Sequence, residues 1–153
     1  MVRRHTPSLS FEVFPPNPAV GNDKIFQALR EMQDLAPHFI SVTASNNKFD
    51  IEETTVRLTE FIANDLKIPT IAHLPAVYLT KDMVSNILQS LDRVGVHQIL
   101  ALRGDIFPDV APKDDFTYAT DLIEYIKTEA PHFDIIGACY PEGHVECAHK
   151  EDD

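Results

Sequence analysis

Short apolar segments recur roughly every thirty residues along this chain, and a longer segment with helical spacing separates each from the next. Ser8–Phe14, His38–Thr43, Thr70–Leu74, Gln98–Leu102 and Asp134–Tyr140 are short, apolar or β-branched, and bounded by Pro, Asn, Asp or Gly, so they read as strands. The intervening segments read as helices. Asp23–Leu35 puts Ile25, Phe26, Leu29, Met32 and Leu35 on one face, and Ile51–Ala63 does the same with Val56, Leu58, Phe61 and Ile62. A third helix opens at Thr80, a good N-cap residue, with Met83, Ile87, Leu88, Leu91 and Val94 inward. A fourth runs Thr117–Glu129 with Tyr118, Leu122, Tyr125 and Ile126 inward. This order predicts an α/β fold with a parallel sheet and right-handed crossovers. Either an open doubly wound sheet or part of a (β/α)8 TIM barrel would satisfy it. A dinucleotide-binding unit wants a G-x-G-x-x-G turn straight after the first strand. Here Phe14 is followed by Pro15-Pro16-Asn17-Pro18, which offers no phosphate-cradling glycines.

With 153 residues, 44% hydrophobic and 24% charged, the chain is expected to be a single globular domain. The formal net charge of −11 opposes binding to nucleic acid or to an anionic membrane, both of which need clustered Lys and Arg. No apolar run reaches the ~18 residues of a membrane-spanning helix, and Met1–Phe11 lacks the apolar stretch of a secretory signal. Two cysteines do not make a disulfide framework. A cytoplasmic protein is the expectation.

Polar residues collect where the predicted strands end. Glu12 interrupts Leu9-Ser10-Phe11-Glu12-Val13-Phe14; Ser41 and Thr43 end the second strand; His73 lies in the third. Arg103-Gly104-Asp105 follows the fourth, and Tyr140, Glu142 and His144 close the fifth. In a parallel α/β sheet all these tips share one edge, where the βα loops converge on ligands. Glu12 in a partly apolar pocket would suit a general acid, its alternative being an ion pair, for instance with Arg103. His73 reads equally as a ligand contact or a satisfied core histidine. Gly104 would let the backbone approach a ligand closely, or would simply turn an Arg–Asp pair. Tyr118 reads as helix packing. Cys139, His144, Cys147 and His149 match no common tetrahedral spacing, Cys139 is expected to sit in a strand and point into the core, and no metal site is expected. No G-x-S-x-G elbow suggests a hydrolase.

Taken in order, these runs resemble the methylenetetrahydrofolate reductase family. Ser10-Phe11-Glu12-Val13-Phe14-Pro15-Pro16 is similar to its first-strand signature and Phe39-Ile40-Ser41-Val42-Thr43 to its second. Pro69-Thr70-Ile71-Ala72-His73-Leu74 is similar to the third. Ile99-Leu100-Ala101-Leu102-Arg103-Gly104-Asp105, the most distinctive, is similar to the fourth, and Gly137-Ala138-Cys139-Tyr140-Pro141-Glu142-Gly143-His144 to the fifth. The five together cover nearly the whole chain.

The resemblance implies a TIM barrel holding FAD, which takes a hydride from NADH or NADPH and passes it to 5,10-methylenetetrahydrofolate, giving 5-methyltetrahydrofolate. It implies that Glu12 is the general acid that helps open the folate ring and that Asp105 stabilises the resulting cation beside the flavin. It implies that Thr43, His73, Leu102, Arg103, Gly104, Asp105, Tyr118, Ala138, Tyr140 and His144 line the FAD, and that full-length members form homo-oligomers. Two departures stand out. Ala44-Ser45-Asn46-Asn47 replaces a glycine-rich run common in the family, and about five strands with four to five helices fall short of the eight of a closed barrel. Residues 1–153 are therefore expected to be the N-terminal part of such a barrel. The alternative expectation is a truncated, catalytically inactive half-barrel that self-associates through an open strand edge.

Overall fold

A computed structural model describes residues 8–16, 23–44 and 51–140. Five strands form one sheet: β1 (Ser10–Val13), β2 (Phe39–Val42), β3 (Thr70–Pro75), β4 (Gln98–Leu102) and β5 (Asp134–Gly137). All four neighbouring pairs are parallel and the spatial order is β1-β2-β3-β4-β5. A doubly wound sheet reverses direction at a switch point; this one never does. Right-handed crossovers that always step the same way put every helix on one side.

Burial follows that arrangement. Val13, Ile40, Val42, Ala72, Leu74, Ile99 and Ala101 alternate onto one face and are buried. Toward β1 and β2 they pack with Leu29 of α1 (Asp23–Gln33) and with Leu58 and Ile62 of the next helical run. Toward β4 they pack with Val84, Ile87, Leu88 and Leu91 of α3 (Lys81–Arg93) and with Leu122 and Ile126 of α4 (Ala119–Glu129). The opposite face carries Glu12, Ser41 and Ile71 in one register row, with His73, Leu100 and Ile136 in the next.

Thr80 caps α3 as expected, its side chain accepting from the Met83 N–H at 3.2 Å. The second helix is wound less regularly. A single α-helical turn, α2 (Arg57–Glu60), is flanked by wider π-type turns at Glu52–Val56 and Phe61–Asp65. The Thr59 hydroxyl takes the Val56 carbonyl within this run, while that of Thr55 donates to the Thr43 carbonyl just after β2.

Several expectations need correction. The first strand is shorter than Ser8–Phe14, and the fifth ends at Gly137 rather than Tyr140. The first helix ends at Gln33, because Ala36 turns the chain at φ 49° and Pro37 cannot continue a helix. Leu35 is therefore swung outward and exposed. Met83 and Tyr118 are exposed as well, each lying in or just before the first turn of its helix, where the apolar stripe has not yet met the sheet. Cys139 lies beyond β5 and is exposed rather than pointing into a core.

Candidate active site

The carboxyl ends of the strands converge on one edge. Glu12 stands on the helix-free face of β1, level with Ser41. His73 stands on the same face of β3, and its Nε2 lies 3.8 Å from a Glu12 carboxylate oxygen, across the intervening β2. That separation is too long for a hydrogen bond and short enough for charge coupling. Glu12 is more exposed than a partly apolar pocket would make it, with 54% of its side chain accessible, whereas the His73 side chain is only 7% accessible. The imidazole of His73 is its neighbour across the sheet, and the two form an ion pair only when His73 is protonated.

Burial pushes the His73 pKa down, and the nearby Glu12 carboxylate partly opposes that shift. The folded protein thus favours neutral imidazole more than the unfolded chain does. Stability from this group is full above the ordinary histidine value and declines as pH falls from there toward the lowered folded value. In Glu12→Gln the opposing charge is gone, so His73 should titrate at a still lower pH than in the wild type. Two-dimensional NMR of the imidazole C–H signals reads this directly, and an unchanged midpoint would break the link between the two side chains.

Polar atoms on this edge that are buried with no hydrogen-bond partner among the described residues include His73 Nε2 and Thr43 Oγ1. Thr43 follows Val42, which pairs with Ala72, so the register sets it beside His73. Buried polar atoms are almost always satisfied, and such an orphaned pair at strand tips is what a bound polar group would satisfy.

The loop after β4 is clamped from β3. A 3₁₀ turn, Ala76–Tyr78, follows β3 directly, and the Val77 N–H donates to the Arg103 carbonyl at 3.0 Å. The buried Tyr78 hydroxyl donates to the Asp105 carbonyl at 2.7 Å and accepts from the Phe107 N–H at 2.9 Å. Gly104 between them takes φ +88°. The backbone of Arg103–Phe107 is thereby fixed, with Asp105 exposed on it and Leu102, Arg103 and Gly104 half-buried. Sequence reasoning missed Tyr78. An aromatic residue three positions beyond a strand-ending proline gives no signal that its hydroxyl reaches a loop 27 residues away. Tyr78→Phe should cost about 1–3 kcal/mol by leaving two backbone groups unsatisfied, seen as a lower urea midpoint at unchanged slope.

A family model described as methylenetetrahydrofolate reductase matches residues 1–153. The chain belongs to the methylenetetrahydrofolate reductase family. Among its relatives is a 5,10-methylenetetrahydrofolate reductase of Buchnera aphidicola subsp. Baizongia pistaciae, 35% identical over 147 residues, which make up 95% of this chain and 48% of that protein. The 5,10-methylenetetrahydrofolate reductase of Escherichia coli is 30% identical over 146 residues, again 95% of this chain and 48% of that protein. Methylenetetrahydrofolate reductase 2 of Schizosaccharomyces pombe is 32% identical over 145 residues, 90% of this chain and 22% of that one. The chain thus spans about half the length of the bacterial relatives, or less in the yeast case.

Within this family member the residues expected at the site fall into three groups. Glu12, Thr43 and His73 come together on adjoining strands. Leu102, Arg103, Gly104 and Asp105 occupy the clamped loop at the same sheet edge. Tyr118, Ala138 and Tyr140 are exposed positions, Tyr118 just before α4 and the others just past β5. His144 lies outside the described residues, as do Cys147 and His149. A groove of about 540 Å³ lined by Asp23, Phe26, Gln27, Arg30 and Phe61 belongs to the outer helical layer, not to the strand tips. No described helix is long and apolar enough to cross a membrane.

Proposed function

We propose that this chain carries the N-terminal part of a TIM-barrel active site that uses FAD and NAD(P)H to reduce 5,10-methylenetetrahydrofolate to 5-methyltetrahydrofolate. The observation that carries the reading is the pair of orphaned buried atoms, Thr43 Oγ1 and His73 Nε2, beside Glu12 at the carboxyl edge of a singly wound parallel sheet. The family match along the whole chain supports it. Five parallel strands wound in one direction, with helices on one side, are what the first part of a (β/α)8 barrel would look like.

When bound, FAD supplies the hydride-transfer chemistry. The protein's own groups do the rest. Thr43 and His73 would hydrogen-bond the cofactor and so satisfy their buried atoms. Arg103, half-buried on a fixed loop, would offer positive charge to an anionic cofactor despite the acidic chain. Gly104 keeps the backbone close to β3, while Leu102, Tyr118, Ala138, Tyr140 and His144 would complete the lining. Glu12 would donate a proton to the folate nitrogen that leaves as the five-membered ring opens. The Asp105 carboxylate would face the iminium cation so formed and stabilise it. The Tyr78 clamp on its backbone limits the reorganisation this requires.

The chain's span of half its bacterial relatives leaves a second reading open, a self-associating half-barrel without activity. It is favoured by β1 and β5, which each pair on one side only among the described residues. Adding FAD to the purified protein, removing free cofactor and recording the visible spectrum separates the two. Retained yellow flavin that NAD(P)H bleaches supports the reductase; a folded, colourless oligomer supports the half-barrel and sinks the reductase reading for this chain.

A further inference from the structure

At the other end of the sheet three side chains converge that no sequence pattern announces. Asp92 lies in the last turn of α3. The chain then reverses through Gly95 at φ +77°, with the Gly95 N–H bonded to the Asp92 carbonyl and the Val96 N–H to that of Leu91. This turn brings His97 back over Asp92, and Nε2 of His97 lies 2.8 Å from Asp92 Oδ1. The pairing of Gln98 with Asp134 sets the segment before β5 beside the segment before β4. There the Nε2 of His132 lies 3.2 Å from the same carboxylate oxygen.

We propose that Asp92, His97 and His132 form a binding site for a borderline divalent transition ion such as Zn²⁺, tying the end of α3 to the amino-terminal ends of β4 and β5. All three donor atoms lie within 4.8 Å of one another. Tetrahedral coordination at ~2.0–2.1 Å would space them by roughly 3.4 Å, so small side-chain rotations suffice. Two imidazoles and one carboxylate suit Zn²⁺, Co²⁺ or Ni²⁺ and not the hard ions Mg²⁺ and Ca²⁺. Binding the ion would replace the two hydrogen bonds to Asp92, each imidazole moving its proton to Nδ1 so that Nε2 offers a lone pair. Each side chain is about half exposed, leaving the ion access from solvent and room for water as a further ligand. The three groups come from separate elements fixed by backbone hydrogen bonds, so little ordering is needed on binding. The site is remote from the folate chemistry and would act on stability.

The test is thermal unfolding of the full chain with ZnCl₂, against MgCl₂ as control. At a hundredfold excess over the dissociation constant, linkage gives a rise in Tm of about 5–10 °C, which Mg²⁺ should not reproduce. CoCl₂ should give visible ligand-field bands of low-symmetry nitrogen–oxygen coordination. Both effects should vanish in His97→Ala/His132→Ala; if that variant does not fold, His132→Gln, which keeps a hydrogen-bond donor, should weaken zinc binding at least tenfold. A zinc shift that survives in these variants overturns the site, and so does the absence of any shift in the wild type at millimolar zinc.

Discussion

Under the proposed reductase function, replacing Glu12 by glutamine should leave reduction of bound flavin by NAD(P)H near its normal rate and slow oxidation of reduced flavin by methylenetetrahydrofolate by about 10²–10⁴-fold. The asymmetry follows from the chemistry. Hydride transfer from a nicotinamide requires no proton donor on the folate, whereas ring opening expels a nitrogen that must be protonated. Glutamine keeps the size and a hydrogen bond but cannot supply the proton. Stopped-flow measurement of the two half-reactions in the flavin-loaded protein separates them. Equal slowing of both would mean that Glu12 serves to seat the flavin through its neighbour His73, 3.8 Å away. Full activity in both would remove it from the reaction.

Gly104→Ala should lower stability by about 2–5 kcal/mol, a fall in Tm on the order of 10 °C for a chain of this size. Two costs add. An L-residue at φ +88° costs roughly 1–2 kcal/mol. The new Cβ would also sit 2.9 Å from Pro75 Cβ and 3.3 Å from a Val77 methyl. Pro75 is a rigid ring in a buried strand, so the clash pushes the loop and adds about 1–3 kcal/mol. Gly95→Ala is the internal control: its φ is +77°, but a Cβ there would meet nothing within 4 Å. It should cost only the conformational part, about 1–2 kcal/mol. Denaturant unfolding of both variants measures the difference. Equal losses would show that Gly104 is required for its backbone angle alone. Under the proposed function the Gly104 variant should also bind FAD more weakly, because displacement of the Arg103 carbonyl from Val77 shifts Asp105 with it.

The local signals were strong where the backbone writes them into composition. Strand and helix periods of two and 3.6 residues are properties of a single segment, and the five strands and four main helical segments fall where apolar spacing places them. The polar tips, Glu12, Thr43, His73 and Arg103-Gly104-Asp105, were legible for the same reason, since each breaks an apolar run. Where the signal ran across elements it was silent or misleading. Tyr118 and Met83 look inward by spacing, yet both are exposed, because only packing decides which turn of a helix reaches the sheet. The role of Tyr78 depends on a loop 27 residues on, and the trio of Asp92, His97 and His132 depends on which strand lies beside β4.

By itself the sequence determined the alternation of elements, the chemistry gathered at the strand tips and the family to which the chain belongs. The direction of winding, the meeting of His73 with Glu12 across β2 and the histidine–aspartate cluster at the opposite edge were decided only in three dimensions. Periodicity reports how one segment faces a core; which segments become neighbours is set by crossovers and register, which join residues far apart in the chain.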